Sequence, residues 1–88
     1  MNKYTLIDYF DVWGNENDGW DVNESCVVCN DLVITDDATD QDILNYFYDN
    51  GYLKTADPEL VSIINLGDGF EIVETKTDRP LYGVMMNY

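Results

Sequence analysis

The sequence contains no histidine. That removes the side chain most often used as a general base near neutral pH, and with it the Ser–His and Cys–His nucleophile pairs. Basic residues are almost as scarce. Lys3, Lys54, Lys76 and Arg79 are the whole set, and none lies between Tyr4 and Leu53. A chain so poor in positive charge is not expected to bind DNA, RNA or an anionic membrane surface directly. There are two cysteines, too few for a disulfide-stapled secreted scaffold. No apolar run approaches about 18 residues, so no membrane-spanning helix is expected. The opening residues place Asp8 and Asp11 soon after Lys3, which does not read as a signal peptide. A reducing cytoplasm is the expected location. Nor is there a Gly-rich phosphate loop, since Gly67-x-Gly69 lacks both a third glycine and a following helix. Catalysis and a cofactor are therefore not expected, although carboxylates in this number leave paired acid–base chemistry open.

What the chain does have is acid. Eighteen Asp and Glu face four bases, for a net charge of -14. A hydrophobic content of 45% is ordinary for a globular domain, so the acidity does not imply disorder. Eighty-eight residues make one domain, 1–88, with a small core. Two Trp, seven Tyr and three Phe offset that, because each buries a large area.

The clearest local signal runs from Thr39 to Leu53. Thr39 reads as an N-cap with Asp42 as its capping-box partner, and Asp40 and Asp42 suit the positive end of a helix dipole. Ile43, Leu44 and Phe47 give an apolar stripe flanked by Tyr46 and Tyr48. Asn50-Gly51 reads as the stop, with Tyr52 folding back onto Phe47. Lys3 to Trp13 reads as a strand with Tyr4, Leu6, Phe10 and Val12 on one face and a bulge near Asp8 as one way to keep register. Gly14 to Gly19 is turn chemistry, and Trp20 and Val22 restart a strand. Asn23-Glu24-Ser25 is expected to break that strand, and Asn30-Asp31 to form a tight turn or a bulge. Leu60–Leu66, Phe70–Thr75 and Leu81–Met86, separated by Gly67-Asp68-Gly69 and Thr77-Asp78-Arg79-Pro80, read as an antiparallel meander. The expected fold is α+β: a four- to five-stranded antiparallel sheet with one α-helix packed on one face.

Three motifs bear on chemistry or binding. Cys26-Val27-Val28-Cys29 has the spacing of half a zinc site or a redox pair. In a regular strand, however, residues three apart point to opposite faces, which opposes chelation, so two small buried hydrophobes are expected instead. Asn15 to Asp21 suggests a calcium loop, but with Gly19 at the sixth position Ser25 falls at the twelfth, where an acid is required. No metal is expected. Trp13 and Trp20 flank the turn and read either as a cross-strand pair or as partner anchors.

The run Tyr4-Thr5-Leu6, Asp8-Tyr9, Asp11-Val12-Trp13-Gly14-Asn15, then Asp18-Gly19-Trp20 and Val22-Asn23, resembles small acidic proteins encoded by phages and prophages of Gram-positive bacteria. The later Asp-Ile-Leu-Asn-Tyr-Phe segment and Asn50-Gly51-Tyr52-Leu53 are similar in style to the helix of those proteins. The resemblance covers the first two-thirds of the chain. It implies an origin in a mobile element and a bacterial cytoplasm, and it brings no catalytic residue with it.

A surface made only for solubility normally mixes charge signs. Here half the chain is one-signed, which points to mimicry of a nucleic-acid backbone. Side chains two apart on a strand lie about 6.6 Å from each other, close to the phosphate spacing of one nucleic-acid strand. The candidate partner-binding residues are Asp36, Asp37, Asp40 and Asp42 at the helix start, Asp8, Asp11, Glu16, Asp18 and Asp21 in the first hairpin, Asp49 two turns along the helix, and the aromatics Trp13 and Tyr46. The expected partner is a basic nucleic-acid-binding protein, such as a nuclease or a CRISPR-type defence effector. The alternative is a non-catalytic structural or interaction module whose acidity serves only solubility, with a homodimer through an edge strand or the Trp/Tyr surface as one form of it.

Overall fold

The computed structural model describes residues 2–87. In chain order the elements are β1 (Asn2–Asn15), β2 (Gly19–Ile34), α1 (Asp40–Asp49), β3 (Val61–Asn65), β4 (Gly69–Glu74) and β5 (Pro80–Met86). The five strands form one sheet in the order β2-β1-β5-β4-β3, with every neighbouring pair antiparallel. The α+β reading holds, with strand the dominant content, and the last three strands form the meander that their turns predict. Pairing of β1 with β5 then places the first and last strands side by side near the middle of the sheet.

α1 has the caps that the sequence spells. Thr39 Oγ1 accepts from the Asp42 N–H at 3.1 Å, and Asp42 Oδ2 accepts from the Thr39 N–H at 3.0 Å. At the other end Gly51 has φ 78, the Tyr52 N–H reaches the Phe47 carbonyl at 2.9 Å, and the Gly51 N–H reaches Tyr48 at 3.1 Å. These paired bonds satisfy carbonyls that the last turn would leave open. The Tyr52 ring folds back to 5.7 Å from Phe47.

The hairpin departs from its sequence reading. Asn23-Glu24-Ser25 does not break β2, which runs unbroken for 16 residues. Instead the β1–β2 ladder shifts register four times. The partners place extra residues at Asn30–Asp31, Val28 and Asn23 on β2 and at Tyr9–Phe10 on β1. Each bulge adds local twist, so the ribbon coils. At Asn30 the ladder is completed from elsewhere, because Asn87 Nδ2 donates to the Asn30 carbonyl at 2.6 Å. The Tyr9–Phe10 bulge also explains why Phe10 leaves the expected inner face. It is 56% exposed, while Val12 is buried. Trp13 and Trp20 do not pair across the strands, since Trp13 lies opposite Asp21 and Trp20 opposite Gly14. Trp20 instead ties the hairpin to the β4–β5 turn: its Nε1 donates to the Thr77 carbonyl at 2.8 Å, and the Arg79 guanidinium lies over its ring.

The core lies between α1 and one face of the sheet. Leu44 and Phe47 of the helix meet Leu6, Leu32, Val61, Phe70, Ile72 and Val84. Residues in register share a face, which is why Leu6, Val84 and Phe70 line up across three strands. Each such side chain contributes about 1.5–3 kcal/mol on burial. Val12 and Val73 are buried outside this cluster and mark where the coiled hairpin comes down on the second face. Elsewhere that face is open, with Val27, Ile64 and Met85 exposed.

Candidate acidic interaction surface

The sheet has two functionally different ends. At one, the start of α1 and the β3–β4 turn enclose a groove of about 400 Å³ floored by Tyr4, Ile43, Phe70 and Met86, with Asp36 and Asp40 on its wall. Asp37 and Asp42 are exposed beside them. Asp68, exposed in the β3–β4 turn, adds an acid from across the groove that the sequence reading missed. The hairpin signal Gly67-Asp68-Gly69 located that residue in a turn, but only the order of strands brings the turn to the helix start. Among the described residues Lys3 is the lysine or arginine at this end.

At the other end lie the β1–β2 turn, the β4–β5 turn and the loop after α1. Glu16, Asp18 and Asp21 are exposed there, joined by Glu24 opposite Asp11. Asp11 is half-buried and already engaged: Trp13 Nε1 donates to it at 2.9 Å and Asn23 Nδ2 at 2.7 Å. Asp18 accepts from Asn15 Nδ2 at 3.1 Å, which stiffens the turn. Lys54, Lys76 and Arg79 all belong to this end, so its charge is mixed.

The structure thus divides the predicted residues into two sets. Asp36, Asp37, Asp40 and Asp42 come together. Asp11, Glu16, Asp18 and Asp21 form a second group at the far end of a ribbon whose first strand alone would span roughly 43 Å if straight, in a molecule 36 Å long. No strand carries acids two apart in sequence, so no regular row of carboxylates forms along one. The bulge at Tyr9–Phe10 brings Asp8 and Asp11, three apart, onto one face. Asp8 belongs to neither set. It is half-buried on the helix-facing side, opposite Tyr82 and Cys26. Asp49 and Tyr46 are exposed on α1, and Trp13, at 63% exposure, is the most accessible large aromatic of the hairpin.

The cysteines correct the strand geometry assumed for them. The bulge at Val28 pairs Cys29 with Leu6 and Cys26 with Asp8, and those two partners share a face. Cys29 packs against the core and Cys26 is exposed. Among the described residues no three Cys, Asp or Glu side chains converge as a metal site. None of the described helices is long and apolar enough to cross a membrane.

Two tyrosines are held neutral to higher pH than usual. Burial pushes the Tyr9 hydroxyl above 10.0, helped by the charge of Glu71 and a hydrogen bond to it. Burial also raises Tyr82, followed by the charge of Asp8 and the neighbouring Tyr52 and Cys26. No family model matches this sequence, and no curated protein or solved structure matches it.

Proposed function

We propose that this is a small, non-catalytic inhibitory protein that presents carboxylates in place of nucleic-acid phosphates and so occupies the site of a basic DNA- or RNA-binding protein. The observation that supports it is the grouping of Asp36 and Asp37 in the turn before α1 with Asp40 and Asp42 in its first turn, all exposed, at an end where Lys3 is the one lysine or arginine among the described residues. The capped helix holds Asp40 and Asp42 before binding, Asp42 through its bond to the Thr39 N–H, which lowers the ordering cost of association. The net charge of -14 steers a basic partner toward the protein, and exposed Tyr46 offers an aromatic contact on the same helix. The resemblance to phage-encoded proteins suggests the setting: a bacterial cytoplasm, with a host nuclease or CRISPR-type effector as the target.

The helix-start set is the primary contact and the hairpin set is secondary. Replacing Asp36, Asp37, Asp40 and Asp42 together by Asn is expected to weaken binding to a basic bacterial partner by about 2 kcal/mol, at about 0.5 kcal/mol for each exposed pair. Replacing Glu16, Asp18 and Asp21 by neutral residues is expected to cost less. Calorimetry across rising salt checks the premise, because a contact of this kind weakens as ions screen it. Affinity that does not respond to salt removes the reading. The alternative, a homodimer through β2, draws support from exposed Val22, Val27, Val28 and Val33 on that edge strand. Light scattering separates the two readings.

A further inference from the structure

The loop that follows α1 stands off the sheet and leaves a second cavity, of about 460 Å³, at the end away from the helix-start acids. Its volume lies within the usual range for ligand pockets, about 300–1,000 Å³. The Tyr52 and Tyr82 rings contribute to its walls together with Leu53 and Leu81, Asp8 and Glu74 supply two carboxylates, and Tyr9 borders it with its hydroxyl over Gly83 on the other face of the sheet. Tyr52 and Tyr82 have ring centroids 6.1 Å apart, and the Tyr82 hydroxyl donates to the Tyr52 carbonyl at 2.7 Å, which fixes the second ring. Glu74 Oε1 accepts from Thr77 Oγ1 at 3.2 Å. The Asp8 carboxylate is half-buried, and no hydrogen-bond donor to it is found among the described residues.

That combination selects a class of occupant. The Asp8 carboxylate still reaches water, because among the described residues no buried side-chain oxygen lacks a partner, and an apolar ligand would strip that water without replacing it. An anion would face two acids in a molecule of net charge -14. A cation on an aliphatic stem satisfies every wall: the charge meets Asp8 and Glu74, the stem lies against Leu53 and Leu81, and the tyrosine rings attract the charge through their faces. We propose that this cavity receives one cationic side chain, a lysine alkylammonium or an arginine guanidinium, from a protein partner. Lys54 lines the same cavity. Its ammonium is the internal competitor that an incoming cation displaces.

The inference rests on the inhibitory reading only for the basic character of the partner. The cavity itself is tested without one. The isotope-labelled protein is titrated with n-butylammonium and with N-propylguanidinium chloride at constant ionic strength, using butanol and sodium chloride as controls. Saturable amide shifts are expected around Tyr9, Tyr52, Lys54 and Tyr82, for the cations and not for the controls. Asp8→Asn is expected to weaken binding about tenfold, the loss of one hydrogen bond to a charged group. Lys54→Gln is expected to tighten it. Glu74→Gln gives a second reading of the same charge should Asp8→Asn disturb the fold, which the rest of the spectrum reports. Shifts that do not saturate, that spread over the acidic surface, or that are the same in all three variants overturn the proposal. A positive titration combined with salt-insensitive partner binding retains the cavity and discards the phosphate mimicry.

Discussion

Asp49 is in the wrong place for helix stability. It ends α1, where the dipole is negative, and no base lies in the last turn to offset it. Asp49→Lys is expected to stabilise the protein by about 0.5 kcal/mol in low salt, and by less in high salt, measured by urea denaturation. Tyr9 and Tyr82 make the opposite kind of contribution. Both are raised above 10.0 by burial first and by nearby acids second. A group whose folded value is raised adds stability that is complete below its unfolded value and is lost as pH rises through the folded one. Stability is therefore expected to be insensitive to these two side chains below pH 10.0 and to fall above it. A spectrophotometric titration should show Tyr9 and Tyr82 ionising above pH 10.0. Tyr9→Phe and Tyr82→Phe should each remove one of them. Single residues were legible in the sequence where the signal is local. Thr39, Asp42, Gly51 and Phe47 do what their neighbours imply, because caps and helical stripes act within a few residues. Phe10, Trp20 and Asp8 were not legible, because a bulge or a distant turn decides what they touch.

The same division holds for the elements. The turns at Gly14–Gly19 and Gly67–Gly69 announce their hairpins, and the helix announces both its ends. Asn30-Asp31 marks its own bulge with turn residues, but the bulges at Val28 and Asn23 have no comparable mark, so Asn23-Glu24-Ser25 looks like a strand break and Cys26 and Cys29 look like residues on opposite faces. Pairing also sets which elements hold longest. β5 lies between β1 and β4, whereas Asp11 to Asn15 of β1 pair with β2 alone. Hydrogen exchange is expected to be slowest at β5 amides such as Val84 and fastest, among strand amides, in the hairpin beyond Phe10. Trp20→Ala should widen that gap, because it removes the tie to Thr77. Equal protection along β1 would contradict this account of the sheet.

For the whole molecule, the sequence gives away its charge but not where the charge is gathered. Composition alone shows 18 acids against four bases. Only the placement of β1 beside β5, and of α1 across the sheet, sorts the acids into one end that holds Lys3 and another that holds Lys54, Lys76 and Arg79 among the described residues. Tertiary topology of this kind depends on contacts far apart in sequence, which patterning does not report. Repulsion among those acids works against the compact state, yet it has a second effect at β2. This 16-residue strand lies at the sheet edge, carries four exposed valines, and contains neither proline nor lysine, the usual guards of such an edge. Like charge opposes the joining of two copies there. Near the isoelectric point of about 4.1 that guard is gone. Acidified samples are then expected to grow thioflavin-positive fibrils seeded edge to edge, and Val27→Lys with Val33→Lys is expected to delay them. Monomers that persist at that pH by light scattering would show that the coiling of the strand suffices.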